Sequence, residues 1–438
     1  MVHPLHPLRR PRRMVTPGEG GRPRQVVVVV GAGMVGLSTA WFLQDHGIDV
    51  TVIERGDVAA GASWGNAGWL TPGLTAPLPD PAVLGQGLRA LLDPSSPVVV
   101  PRIPSPRLLR FLTGFARHST TRRWRAGMSA YLQVNAMALG AFDRLAEGGV
   151  SEPTHEADPF LACYRTPEDR RFLLEELEQM AGAGQDVRFD ILTGEEARRC
   201  EPALSPTVGA GTRTHGPRDT PPPRLPAAPA AAFRARGGTI LTGRTVTGLQ
   251  DRGESVEVAA DTGITHRVDA VVVASGAELG DLTRAFGVRH LVQAGRGYSF
   301  TVRARQLPSG PVYFPAQRLA CTPLRSPTGD RLRVAGTMEF RSPSAPLDRE
   351  RIDVMAAALA PLMDGLDLHE RQEEWVGSRP CTTDGLPLVG GTRSRRVFVA
   401  GGHGMWGIVL GPVTGQLLAS LVATGQLHPA LTPFDPTR

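Results

Sequence analysis

The chain contains no lysine: all 48 of its basic side chains, histidines aside, are arginines. That absence removes the phosphate-binding lysine of a P-loop, the Schiff-base lysine of pyridoxal phosphate chemistry and any lysine general base. Cysteine is scarce as well. Cys163, Cys200, Cys321 and Cys381 stand apart with no C-x-x-C spacing, which argues against a zinc site and against a disulfide framework. A reducing, cytoplasmic compartment is the expectation. His46, His118 and His155 fall in no ligand spacing and are expected at the surface, with no metal bound. No run of roughly 18 apolar residues occurs, so no transmembrane helix is expected. Residues 1–24 are rich in proline and arginine and lack an apolar segment of the kind a secretory signal needs. They are expected to form a disordered, solvated basic tail rather than a nucleic-acid arm, with Met14 a second candidate start.

What is present suits a folded enzyme-sized globule. The 438 residues are 41% hydrophobic and 21% charged, too long for one ordinary core and suited to two intertwined domains. The segment "QVVVVVGAGMVGLSTAWFLQDHGIDVTVIERG", 25–56, opens with a continuous apolar run, as in a strand buried on both faces. A glycine turn follows, then a helix from Met34 to about His46 closed by Gly47, then a second strand ending in an acid. This is the start of a βαβ unit. Residues 57–106 read as loop-rich and 107–147 as helical. Thr166 and Pro167 mark one further helix start, and Thr193 with Glu196 has the spacing of a capping box. Strand patterns return over 238–276, 296–303 and 331–340. A helix is expected at about 348–363, and a closing helix starts within "GGHGMWGIVLGP", 401–412.

The resulting expectation is a mixed α/β (α+β) chain. A Rossmann-like domain assembled from 25–106, 195–285 and 375–430 would carry an inserted antiparallel-sheet-plus-helices substrate domain from 107–194 and 286–374.

Gly31-Ala32-Gly33-Met34-Val35-Gly36 is a G-x-G-x-x-G turn placed between a buried strand and a helix, with Glu54 ending the next strand. That context is the dinucleotide fingerprint. Gly31 permits the tight turn, Gly33 lets the backbone approach a pyrophosphate, and Gly36 lets the helix pack on the strand. The helix N-terminus offers amides and positive potential to phosphate. Glu54 can accept hydrogen bonds from both ribose hydroxyls and would repel a 2′-phosphate. The fingerprint does not separate NAD from FAD. The long small-residue loop "VAAGASWGNAGWLTPG", 58–73, favours the longer flavin cofactor.

Within that loop, Ser63-Trp64-Gly65-Asn66-Ala67-Gly68 resembles the S-x-x-N-A-G segment of the D-amino-acid oxidase-like superfamily of FAD oxidoreductases, most closely its D-amino acid dehydrogenase branch. The stretches "VDAVVVASGAEL" (268–279), "GRGYSFTV" (295–302), "WVGSRPCTTDGLPLVGG" (375–391) and "VFVAGGHGMWGIVLGP" (397–412) resemble further elements of that superfamily. The likeness runs from residue 25 to about 424.

The resemblance implies non-covalent FAD held by Gly31, Gly33, Met34, Val35, Gly36, Glu54, Arg55, Ser63, Asn66, Ala67, Gly68, Val246, Gly276, Gly402, Gly404, Met405 and Gly407. It implies hydride transfer from the α-carbon of a D-amino acid, or of a cyclic imino acid such as hydroxyproline, to flavin N5. Because the flavin is the electron sink, positioning dominates. Arg379 is the candidate carboxylate clamp, its alternative being a salt bridge to Asp384. Arg296 and Tyr298 are expected on the strand that roofs the pocket, Tyr298 either bonding substrate or packing in the core. His403 is expected beside the flavin, tuning it or moving a proton. Cys381 reads as an ordinary buried thiol.

The electron acceptor is left open between a quinone and O2, which leaves a glycine/sarcosine-type oxidase as the alternative. Peripheral contact with the inner face of a membrane and homo-oligomerisation are also left open. The prolines of "GTRTHGPRDTPPPRLPAAPAAAFRARGG", 211–238, interrupt an expected helix, which would start late, near Ala230, or stay disordered. That keeps a catalytically impaired flavin-binding protein as a third reading.

Overall fold

A computed structural model describes residues 25–81, 98–101, 103–222, 225–326 and 329–438 of the chain. The basic segment 1–24 lies outside the described residues, as does the part of the 57–106 loop from 82 to 97.

The first strand, β1 (Val26–Val30), lies at the centre of a six-stranded sheet. It is flanked by two parallel neighbours, β2 (Asp49–Ile53) and Ala270–Val273. Beyond β2 lies Thr239–Leu241, and beyond Ala270–Val273 lie Val397–Gly401 and then Leu388–Gly391. Only the last strand runs antiparallel to its neighbour.

The valine run is explained by what covers each face. Val27 and Val29 join Val50, Val52 and Val272 in a core closed by helices, while Val28 and Val30 join Val271 and Val273 in a second core. The second core is capped by an antiparallel three-stranded sheet contributing Val256, Val258 and Val268. A strand with a packed layer on both sides needs apolar residues at every position, so alternation disappears.

The helical face is built from α1 (Met34–Asp45), the closing helix Gly407–Thr424 and the long helix Thr121–Glu147. Gly411 and Gly415 let the closing helix approach α1. A Cβ at Gly415 would lie 2.6 Å from the Thr39 backbone nitrogen, and one at Gly411 2.9 Å from Met34 Cγ. By length and composition alone the closing helix is apolar enough to cross a membrane. It is 67% buried inside the protein, as a central core helix would be.

The second large sheet orders Gln372–Thr382, Val292–Arg303, Arg331–Glu339, Leu319–Leu324, Val312–Phe314, Phe160–Tyr164, Ala210–His215 and Arg188–Thr193. Val98–Val99 adds to Arg331–Glu339. Its core is distinct and contains Tyr298, Phe300, Phe314, Val334 and Leu359.

Two elements sit differently from the expected division of the chain. Ala210–His215 pairs within this second sheet, and Thr121–Glu147 places Tyr131, Val134 and Phe142 in the first core. Hydrogen bonding and burial across sequence-distant segments decide both.

Local signals act where they were expected. The Thr166 side chain accepts from the Asp169 amide, and the Thr193–Glu196 pair forms a complete capping box. The proline-rich stretch differs from expectation. A helix spans Ala227–Ala235, starting three residues before Ala230, with Pro229 in its first turn. Amides of the first turn have no intrahelical acceptor, so a proline there forfeits no hydrogen bond.

A Leu at position 415 tests the helix contact. Gly415→Leu is expected to destabilise the protein by about 1–3 kcal/mol or more through overpacking against the α1 backbone, read from the midpoint of urea unfolding.

Candidate active site

β1 ends at Gly31, which adopts φ +109°, a conformation open to glycine. A Cβ there would meet the Ala274 carbonyl oxygen at 2.5 Å, so the turn packs directly on the end of the neighbouring strand. A Cβ at Gly36 would lie 2.1 Å from Gly31 O, which is the close helix–turn packing expected of the third fingerprint glycine. The Leu37 amide is the first of α1 to bond back, to Gly33 O at 2.9 Å. The amides of Gly33, Val35 and Gly36 therefore precede the helical ladder, and Met34 N–H donates to Ser63 Oγ at 3.0 Å. The Glu54 carboxylate accepts from Ala32 N–H at 2.7 Å and from Gly56 N–H at 2.9 Å, which holds it across the turn.

These groups line a cavity of about 1840 Å³. Of the residues named from the sequence, Gly31, Gly33, Met34, Val35, Gly36, Glu54, Arg55, Ser63, Asn66, Ala67, Gly68, Val246, Gly276, Arg379, His403, Gly404, Met405 and Gly407 all lie on its wall. Arg55 pairs with Glu278, another wall residue. Asn66 braces its own loop, with Nδ2 donating to Ser63 O and Pro222 O and Oδ1 accepting from Gly68 N–H.

Three named residues are elsewhere. Gly402 is turned against Thr382 and Leu388. Tyr298 is fully buried in the second core, and its hydroxyl donates to Glu339 at 2.6 Å. Strand alternation is the reason. Gly297 faces Arg379, so Arg296 and Tyr298 point to the other side of the sheet. There Arg296 donates to Ala345 O and Pro346 O and pairs with Glu339 at 3.4 Å. Neither residue roofs the cavity.

Arg379 is held from one side, its Nη1 donating to Thr337 O at 2.7 Å. Asp384, its alternative partner, is instead bound by Arg438 at 2.9 and 3.0 Å. No carboxylate pairs with Arg379 among the described residues. Burial pushes the Arg379 pKa below the ordinary arginine value.

His403 is buried, with Nε2 against Thr414 Oγ1 at 2.9 Å and Nδ1 without a partner among the described residues. Burial drives its pKa down to about 4, so the ring is neutral near pH 7. Cys381 is buried, its thiol pushed up to about 12 by burial, and no cysteine lines the cavity.

The wall includes groups that no short motif announces. Ser275 Oγ is buried and lacks a partner among the described residues. Tyr164, Tyr313, Glu176, Asp80 and Arg318 also line it. Burial, then the nearby Asp80, raise Glu176 to about 7 against the pull of Arg318. Ser275 follows Ala270–Val273 in a stretch singled out from the sequence, and Glu176 lies on the helix that Thr166 and Pro167 start, while Tyr164, Tyr313, Asp80 and Arg318 come from strands and loops with no shared spacing.

The comparisons agree with this geometry. The family model described as FAD dependent oxidoreductase matches residues 26–421. A D-amino acid dehydrogenase of Methylobacterium radiotolerans is 31% identical over 410 residues, covering 91% of this chain and 95% of that protein. A D-amino acid dehydrogenase of Rhizorhabdus wittichii is 28% identical, covering 93% and 98%. Among solved structures, glycine oxidase from Geobacillus kaustophilus superposes with a TM-score of 0.72 at 24% identity, covering 95% of this chain and 99% of that one. L-proline dehydrogenase from P. horikoshii gives 0.67 at 17% identity, covering 95% and 97%. The chain belongs to the FAD-dependent oxidoreductase family, and its cofactor is FAD.

The residues present fit that cofactor. The open amides of α1, the braced Glu54 carboxylate and the orphaned polar atoms of Ser275 and His403 supply hydrogen-bonding capacity that the protein itself leaves unused. Glu54→Ala is expected to lower FAD retention after purification, measured as flavin absorbance relative to protein; full occupancy would count against the assigned role.

Proposed function

We propose that the protein oxidises the α-C–N bond of D-amino acids, or of related cyclic imino acids, as an FAD-dependent dehydrogenase. The observation that carries this reading is Arg379: a cation with no carboxylate partner among the described residues, pinned on one edge, on the wall of the same cavity as the dinucleotide turn. Its planar fork matches a substrate carboxylate. The substrate loses a hydride from Cα and a proton from nitrogen, and water hydrolyses the resulting imine to a 2-oxo acid and ammonia, or, for a cyclic substrate, opens the ring to a single amino 2-oxo acid. Bound FAD supplies the acceptor for the hydride. Gly31–Gly36, Glu54 and the Ser63–Gly68 loop would hold the cofactor without a covalent bond. The amides at the start of Gly407–Thr424 lie ahead of its first helical bond, Leu410 N–H to Trp406 O at 2.9 Å, and would face the cofactor as donors. His403, neutral near pH 7, contributes a hydrogen bond and shape rather than charge. D-amino acid dehydrogenase relatives at 26–31% identity over about nine-tenths of the chain support this reading.

The surface supports a membrane-borne electron acceptor. Residues 94–142 contain seven arginines and no acidic residue. Arg107, Arg110, Arg117, Arg122, Arg123 and Arg125 are exposed on two consecutive helices, and no ion pair involves them among the described residues. Ile103 is 91% exposed and Leu109 51% exposed beside them. Val98, a few residues earlier, lies on the cavity wall. Arginines interleaved with bare apolar side chains suit an anionic bilayer, each cation near such a surface contributing about 1 kcal/mol. Docked there on the cytoplasmic side, the protein would pass electrons to a lipid-soluble quinone.

Anaerobic addition of D-amino acids is expected to bleach the bound flavin, and peroxide formation matching turnover in air would point instead to an oxidase. Arg379→Lys is expected to raise KM by about tenfold or more while FAD stays bound, because lysine cannot reproduce the fork. Unchanged kinetics would remove Arg379 from the site. Sedimentation with vesicles should show binding to phosphatidylglycerol-containing bilayers, not to pure phosphatidylcholine, weakened by salt and by Arg110→Glu/Arg117→Glu. Equal binding to both would overturn the surface assignment, and capture of nucleic acid in place of vesicles would reassign it.

A further inference from the structure

Arg379 is aimed by a defect in the sheet. Between the pairs Arg296↔Glu339 and Tyr298↔Gly336, one residue of the first strand, Gly297, stands opposite two of the second, Thr337 and Met338. This is a β-bulge, and Thr337 takes φ +60°, a conformation in which a β-branched residue is a genuine outlier. Thr337 offers its carbonyl to Arg379 Nη1 at 2.7 Å. On the other flank, a Cβ at Gly297 would fall 2.2 Å from the Arg379 Cζ and Nη2 atoms, so the guanidinium lies against bare backbone. Thr337 and Arg379 both lie on the cavity wall, and no protein acceptor is found for Arg379 Nε or Nη2 among the described residues.

We infer that the Gly297–Thr337 bulge is a positioning device: it clamps one edge and one face of the Arg379 guanidinium so that the remaining donors are held ready for the substrate carboxylate. The inference rests on Arg379 being the carboxylate clamp. It explains why strain sits at this point in an otherwise regular strand pair. A flat pairing would withdraw the Thr337 carbonyl, and any side chain at 297 would displace the guanidinium. Thr337 and Gly297 act through Arg379 and need not touch the substrate.

The test is a mutant cycle on FAD-loaded protein. It reads the steady-state KM and kcat for a D-amino acid, together with the affinity for benzoate as an amine-free carboxylate probe, followed by the flavin spectrum. Gly297→Ala is expected to raise KM and weaken benzoate by about tenfold or more, with a smaller change in kcat. The same change in an Arg379→Lys background should add less than about twofold, since the group it displaces is already gone. Thr337→Gly, which keeps the positive φ without strain, should leave KM within about twofold of wild type, while Thr337→Pro, which cannot adopt it, should behave like Gly297→Ala.

The device is overturned if Gly297→Ala leaves KM and benzoate affinity unchanged, or if its effect is undiminished in the Arg379→Lys background. It is also overturned if Gly297→Ala and Thr337→Pro both abolish FAD uptake while Arg379→Lys retains it, because the bulge would then serve the fold and not the arginine. If Arg379→Lys itself leaves KM unchanged, the carboxylate-clamp reading fails first.

Discussion

The contact on which the site depends is between two backbones at the ends of parallel strands. Gly31 turns the chain out of β1 directly against the carbonyl of Ala274, which ends the neighbouring strand, with no room for a side chain. That packing brings the fingerprint turn and the Ser275–Gly276 turn to one level at the carboxyl edge of the sheet. The parallel register makes it possible, since parallel neighbours present the same end to the same side. The amides of α1, the Glu54 carboxylate and the Ser275 hydroxyl share one cavity because that contact places them together.

The second requirement is that another sheet close the cavity from the opposite side. The Gln372–Thr382 strand does this, pairing along Val292–Arg303 and then returning to the first sheet through Leu388–Gly391. Arg379 sits on the section that crosses between the two cores. Its neighbour Cys381 bridges to His403, and Gly404 N–H bonds Pro380 O at 2.9 Å, tying the arginine strand to the glycine-rich loop before the last helix. The glycine-rich loop and the Arg379 strand are thus one mechanical unit, although residues 297, 337, 379 and 403 come from four separate segments. The buried Arg296–Glu339–Tyr298 group on the other face of the same strands fixes the 345–346 backbone and leaves the cavity face to glycine and arginine. A chain with no lysine assigns arginine to every such task, and arginine's rigid fork suits one that must be held at one edge and free at the other.

Much of the architecture is visible in local pattern. The β1–α1–β2 unit, the caps at Thr166 and Thr193, and the closing helix follow from periodicity, capping chemistry and turn residues, which act over a few positions. The proline-rich stretch shows the limit. Pro229 looks disruptive until its place in the first turn of a helix is known, and that place depends on where the chain leaves the preceding loop. Tyr298 shows another. Its side-chain direction depends on the alternation of a strand whose register is shifted by a bulge that no short sequence pattern marks.

By itself the sequence determined the class of chemistry. A glycine turn between a buried strand and a helix, an acid ending the next strand, and the S-x-x-N-A-G loop carry their function in the backbone conformations those residues permit, and such conformations are local. Tertiary structure alone decided which side chains face the cavity. Arg379 is turned toward it and Tyr298 away, Ser275 and Glu176 reach the same wall from distant segments, and the neutrality of His403 follows from its burial. Burial, sheet register and strain at Thr337 arise only when segments tens to hundreds of residues apart are packed together, so no stretch of the chain states them alone.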